Sequence, residues 1–126
     1  MSNFPIPKQE QIIFEDNKLY ACLANYPIAD GHVVVVWKKK VSDLHLLKRT
    51  DFEYLMDKVD ELRNAMLKAL NINKVYLLYM DEVKHVHWHL VPRYNIEGVN
   101  VLKEKPKKLK DYSNAELIKK YLKNRI

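Results

Sequence analysis

His85-Val86-His87-Trp88-His89-Leu90-Val91-Pro92 is the stretch on which the reading of this chain turns. Histidine alternates with apolar residues along it, and a period of two is the pattern of a β-strand. Successive side chains of a strand point to opposite faces. The three imidazoles therefore share one face, while Val86, Trp88 and Leu90 point the other way, into a core. Imidazoles so placed stand roughly 6–7 Å apart along the strand and make a polar row. A lone histidine on an apolar face is most often a hydrogen-bonded structural residue. Three of the chain's 5 histidines alternating in one short run point instead to chemistry. Alternating imidazoles can converge on a zinc or iron ion, with Asp81, Glu82 or His32 as a further ligand.

Working outward, residues 12–15 and 19–23 read as two strands across a turn at Asp16-Asn17-Lys18, where Asn17 tolerates a left-handed backbone. His32-Val33-Val34-Val35-Val36-Trp37 is a β-branched run that predicts a central strand buried on both faces. Ser42-Asp43 suits the cap of a short helical turn ending near Leu47. Thr50, with Glu53 completing a capping box, predicts the start of a long helix reaching about Leu70. Phe52, Leu55, Met56, Val59, Leu62, Met66 and Leu70 recur at helical spacing and make its apolar face. Residues 74–79 and 85–91 supply two further strands, and Ser113-Asn114-Ala115-Glu116 caps a terminal helix. Residues 1–11 read as a loose lead-in. Strands, one long helix and more strands predict an α+β domain with the helix on one sheet face.

At 126 residues the chain is long enough for one domain with a core and too short for two ordinary ones. It shows neither a secretory leader nor an apolar run of the roughly 20 residues that cross a bilayer, so a cytoplasmic protein without membrane partners is expected. Cys22 is the only cysteine, which excludes an internal disulfide and a thiolate zinc cluster; it reads as a small buried hydrophobe. Most of the net charge of +6 lies in residues 96–126. The run from Lys103 to Lys110 offers a surface for phosphates or nucleic acid, but a solvated, mobile segment is the simpler reading, and nucleic acid is not an expected partner.

The histidine stretch resembles the His-φ-His-φ-His-φ-φ motif (φ apolar) of the histidine-triad, or HIT, superfamily. Val86, Trp88, Leu90 and Val91 fill the φ positions, and Pro92-Arg93 continues the pattern. Phe14-Glu15-Asp16 is similar to the family's aromatic-Glu-Asp element. Pro27 through Gly31-His32-Val33-Val34-Val35 is similar to its Pro…Gly-His-strand element, and Ser42-Asp43-Leu44 falls where the family has a short helix. The resemblance covers about residues 12–94 and leaves a basic extension, residues 96–126, outside.

That resemblance implies a HIT-like fold: an antiparallel sheet of about five strands per protomer, one long helix on one face, and a C-terminal helix. It also implies a homodimer paired through the long helix and a central strand. The implied activity is that of a nucleotide hydrolase or transferase. His87 would attack the α-phosphate of a nucleoside phosphoramidate, nucleotidyl ester or dinucleoside polyphosphate and form a covalent nucleotidyl-histidine. His89 would hydrogen-bond the phosphate oxygens or leaving group, while His85 and His32 would fix the ring and tautomer of His87. Phe14 would help form the pocket for a purine base of the adenosine type. No metal or other cofactor is needed.

Two departures bear on the substrate. Ala24 stands where many relatives carry an Asp or Asn that binds ribose hydroxyls. Asn25, its neighbour, can substitute only where the chain bulges or turns. Asp81-Glu82-Val83-Lys84 replaces a Gly-Gln-Ser/Thr segment, so Glu82 and Val83 join the nucleotide-binding candidates; Glu82 cannot donate while ionised. Ala24 and Glu82 keep open a nucleotide-binding module with little turnover, and the histidine row keeps open a metalloenzyme.

Overall fold

Four consecutive valines before Trp37 offer water no polar side chain on either face, and the chain buries the whole run. In the computed structural model, which describes residues 6–123, this run is strand β3 (Val33–Trp37). The other strands are β1 (Ile12–Glu15), β2 (Leu19–Leu23), β4 (Val75–Leu78) and β5 (His87–Pro92). They form one antiparallel sheet in the order β1-β2-β3-β5-β4, with β3 at its centre. The β1–β2 turn is pinned by Asp16, whose carboxylate accepts from the backbone N–H of Lys18 (2.8 Å) and Leu19 (3.0 Å) and from the Tyr54 hydroxyl. These bonds to the ionised form outweigh partial burial and hold the Asp16 pKa below its ordinary value.

Helices α1 (Arg49–Ala69) and α2 (Ser113–Lys123) cover one sheet face. Leu55, Val59, Leu62, Ala65 and Met66 make the buried stripe of α1, and Ala115 and Ile118 join it from α2. Val33, Val35 and Trp37 meet them from β3, with Val86 and Leu90 beside them. Each fully buried Leu or Val here contributes about 1.5–3 kcal/mol of hydrophobic stabilisation. The far face carries a second, smaller apolar patch of Ala24, Val34 and Val36, with Tyr20 packed against it.

Several local expectations change. Thr50 is not the helix cap: α1 begins at Arg49 behind Lys48, and Glu53 pairs with the Arg49 guanidinium at 2.9 Å instead of closing a capping box. Phe52 sits at the edge of the apolar face, 36% exposed. The lead-in is not loose throughout. Gln9–Gln11 forms a 3₁₀ turn, and the buried Gln11 donates to the Leu23 carbonyl (3.0 Å) and to Asn25 Oδ1 (2.8 Å); residues 1–5 lie outside the described residues. β1 carries a bulge between Ile12 and Phe14, which swings Phe14 to the helix side, opposite Ala21. β5 starts at His87 rather than at His85.

Candidate active site

The late start of β5 has a physical cause. The Val86 N–H leaves the ladder to reach the Val41 carbonyl at 2.9 Å, while the Val86 carbonyl still accepts from Trp37 N–H at 3.1 Å. His85 lies just ahead of β5, fully buried, with Nε2 on the Trp37 carbonyl at 2.5 Å. His87, His89 and His32 follow one another in ring contact. His87 and His89 pair across to Val36 and Val34 on β3. His32 enters from the residue before β3, where its carbonyl accepts from Ala24 N–H at 2.9 Å. Ring centroids lie 4.9 Å apart for His87–His89 and 5.1 Å apart for His89–His32, both edge-on.

Hydrogen bonds set each tautomer. The carbonyl oxygen of His85 takes the Nδ1–H of His87 at 2.8 Å, which leaves the Nε2 lone pair of His87 as the basic, nucleophilic site. Ile28 N–H donates to His32 Nδ1 at 3.2 Å, so the His32 proton lies on Nε2 and is donated to His89 Nδ1 at 2.9 Å. The one ring proton of His89 is then on Nε2. His85 thus holds the ring of His87 through its carbonyl, while the hydrogen bond of His32 goes to His89.

Burial keeps the row neutral. It lowers the pKa of His32 to about 3 and that of His89 to about 4, aided by the neighbouring imidazoles. His87 is also lowered by burial, against a partly compensating pull from the His85 carbonyl. All three are uncharged near neutrality, the state in which imidazole can attack or hydrogen-bond as assigned.

Beside the row lies a pocket of about 230 Å³ on the far face. Its floor is Cys22, Ala24, Val34 and Val36, and His89 and His32 form one wall. Burial pushes the Cys22 thiol up to about 12, so it serves as inert floor. Asn25 reaches this pocket together with Ala24, since the chain turns after β2, and its Oδ1 is held by Gln11. Gln11 was not anticipated; a polar residue directly ahead of an apolar strand gave no signal for its part. Phe14 is not brought to the site: its ring packs against the helix-side core under the Lys58 ammonium, 4.6 Å from the centroid. Glu82 and Val83 lie in an exposed turn before His85, closed by the Lys84 N–H on the Asp81 carbonyl at 2.7 Å. The Asp81 carboxylate accepts from the Tyr79 hydroxyl at 2.7 Å. Among the described residues no group of three or more His, Cys, Asp or Glu side chains is placed to hold a metal ion. His32 and His89 turn nitrogens toward each other rather than toward a shared point.

A central valine strand flanked by a strand that presents two imidazoles, with a third at the Gly-His entry, defines a class of fold and site together. Residues 7–96 match the HIT domain, and the chain belongs to that family. It is 32% identical over 89 residues to a 13.1 kDa HIT-like protein of Mesomycoplasma hyorhinis, covering 66% of this chain and 80% of that one. It is 28% identical over 100 residues to the bis(5'-adenosyl)-triphosphatase of Saccharomyces cerevisiae, covering 74% of this chain and 48% of the yeast protein; the match thus spans about half of that relative. A solved HIT-like protein from Bartonella henselae shares the fold at a TM-score of 0.71 and 22% identity, covering 92% of this chain and 88% of the other. No described helix is long and apolar enough to cross a membrane.

Proposed function

We propose that the protein hydrolyses or transfers nucleotidyl groups, with His87 Nε2 as nucleophile on the α-phosphorus of an adenosine-type nucleotide. The carrying observation is the bond from His87 Nδ1 to the His85 carbonyl, which leaves Nε2 unprotonated beside a buried, neutral His89. A P–Nε2 bond forms as the bond to the leaving group breaks. Water then attacks the same phosphorus, releasing nucleoside monophosphate and restoring the imidazole. His89 Nε2–H donates to a phosphoryl oxygen or the leaving group, and His32 positions His89 through its own Nε2–H. The nucleoside rests on the apolar floor of the far-face pocket, with Asn25 at its rim. Glu82 and Val83, in the turn ahead of the row, face the leaving group.

The yeast triphosphatase relationship supports a dinucleoside polyphosphate as one substrate form. The family resemblance also carries the proposals of a single HIT-like domain over 1–126, a two-fold dimer and a cytoplasmic location. Leu77, 40% exposed on edge strand β4, suits the dimer. The test is release of adenosine monophosphate from adenosine 5′-phosphoramidate and from diadenosine polyphosphates. His87→Ala should abolish it while leaving the unfolding transition intact. Full activity in that variant overturns the assignment, and tight nucleotide binding without turnover by the unmodified protein marks a binding module.

A further inference from the structure

The lysine run takes no part in the chemistry above, yet the fold does not leave it loose. Leu109, the one apolar side chain between Lys107 and Lys110, packs on the helix-side core. Two residues on, the Asp111 carboxylate accepts from the Ser113 N–H at 2.9 Å, where α2 begins. Held by these contacts, the segment donates twice to the loop that leads from β2 to β3. Leu109 N–H reaches the Asn25 carbonyl at 2.8 Å, and Lys107 N–H reaches the Pro27 carbonyl at 3.2 Å. Bonds between alternate residues, running in opposite directions along the two segments, make residues 107–109 an antiparallel strap. Among the described residues, no other hydrogen bond reaches the backbone of residues 25–27. The strap lies beyond residues 7–96, which match the HIT domain.

The Pro27 carbonyl and the Ile28 N–H belong to one peptide unit. That unit is planar and trans, so the two groups point in opposite directions from a single rigid plate. Lys107 holds the carbonyl end, and the N–H end donates to His32 Nδ1 at 3.2 Å. Turning the plate away from one partner takes it away from the other. Donation to the carbonyl also polarises the amide and strengthens its N–H as a donor. His32 Nε2–H donates in turn to His89 Nδ1 at 2.9 Å, so one line of hydrogen bonds runs from the strap to His89. The sense of that line matters, because a neutral imidazole has one ring proton. Were His32 to carry its proton on Nδ1, its Nε2 would become an acceptor. His89 would then donate from Nδ1 and keep a bare lone pair on Nε2, where the proposed reaction needs a donor. The Ile28 N–H opposes that arrangement, since it would face a second N–H on His32.

We infer that the backbone N–H of Lys107 is a positioning group for the reaction: through the Pro27–Ile28 peptide and His32 it keeps the His89 proton on Nε2. Its effect on turnover rests on the nucleotide reading above; the hydrogen-bond line itself does not. The full chain is compared with three variants. Lys107→Pro removes the N–H, and Lys107→Ala keeps it. Lys108→Pro puts the same residue at a neighbouring N–H that, among the described residues, carries no bond. NMR of nitrogen-labelled, ligand-free protein reads the ring nitrogens of His32 and His89 and the exchange of the strap amides. Steady-state kinetics with adenosine 5′-phosphoramidate give kcat and KM.

In the unmodified protein His32 and His89 should each show a protonated Nε2 and a bare Nδ1. The Lys107 amide should exchange about fivefold or more slower than that of Lys108, once intrinsic rates are divided out. Lys107→Pro should move the His32 Nδ1 signal toward its protonated position and lower kcat about fivefold with KM unchanged, the scale of one ordinary hydrogen bond. Lys107→Ala and Lys108→Pro should match the unmodified protein in both readouts. A protonated His32 Nδ1, or equal exchange of the two amides, in the unmodified protein overturns the strap assignment without any variant having to fold. So do ring nitrogens or a kcat that Lys107→Pro leaves unchanged, and so do equal falls in the two proline variants. Each of these outcomes leaves the nucleotide reading standing. No turnover by the unmodified protein overturns that reading and the role in turnover with it, while the ring nitrogens still decide the hydrogen-bond line.

Discussion

Mild acid should destabilise this protein through its own imidazole row. A free imidazole titrates near 6.5, whereas burial holds His32 at about 3 and His89 at about 4. As pH falls below 6.5 the unfolded chain takes up these protons and the native state does not, so stability present above that pH is progressively lost. At 1.36 kcal/mol per pH unit, His32 costs about 2 kcal/mol at pH 5. His89 opens toward the far-face pocket and is better screened, which discounts its share to about 1 kcal/mol. The combined loss of about 3 kcal/mol is a large part of the 5–15 kcal/mol typical of a folded domain. Protonation also breaks the local bonding. A charged His32 carries a proton on Nδ1, where it opposes the Ile28 N–H that now donates to that atom. Urea unfolding at pH 7.5 and pH 5.0, at fixed ionic strength, measures the loss. The His32→Gln/His89→Gln variant should lose about 3 kcal/mol less than the unmodified protein over the same interval. Equal losses in the two proteins, or no loss in the unmodified one, would refute the reasoning.

Other outcomes follow from the same geometry. Because burial lowers the His87 pKa, the acid limb of a kcat/KM–pH profile should fall below the ordinary imidazole value of about 6.5; a limb at or above it contradicts the assignment. Gly31 holds φ +85°, and a Cβ there would stand 2.8 Å from Leu70 Cδ1, so Gly31→Ala should cost about 1–3 kcal/mol in urea unfolding, with no loss contradicting it. Phe14→Ala should destabilise the protein by about 1–3 kcal/mol and leave the KM for nucleotide unchanged, since the ring lies on the helix side; a raised KM with intact stability would return Phe14 to the base pocket.

The fold was legible where burial leaves a period in the sequence. The valine run, the apolar stripe of α1 and the alternating histidine stretch each announce the face they turn to the core, and the sheet and helices follow. What escaped were features decided by single hydrogen bonds between distant residues. His85 keeps the alternation in sequence, yet the Val86 N–H turns to Val41 and β5 begins only at His87. The β1 bulge changes the face of Phe14 through one extra residue, which period-two reasoning does not register. The run from Lys103 to Lys110 read as a solvated segment because its ties are backbone bonds, from Lys107 to the Pro27 carbonyl and from Leu109 to the Asn25 carbonyl; Leu109, packed on the core, was the sign in the sequence that it is held.

The central claim is that His87 Nε2 becomes bonded to phosphorus during turnover. Rapid acid or base quenching of the protein mixed with adenosine 5′-phosphoramidate, followed by peptide mass measurement, tests it directly. The account predicts an adenylyl increment on the peptide containing His87, present before steady state and absent in His87→Asn. Turnover with no such increment at any quench time, or an increment mapped to His89 or His32, would contradict it.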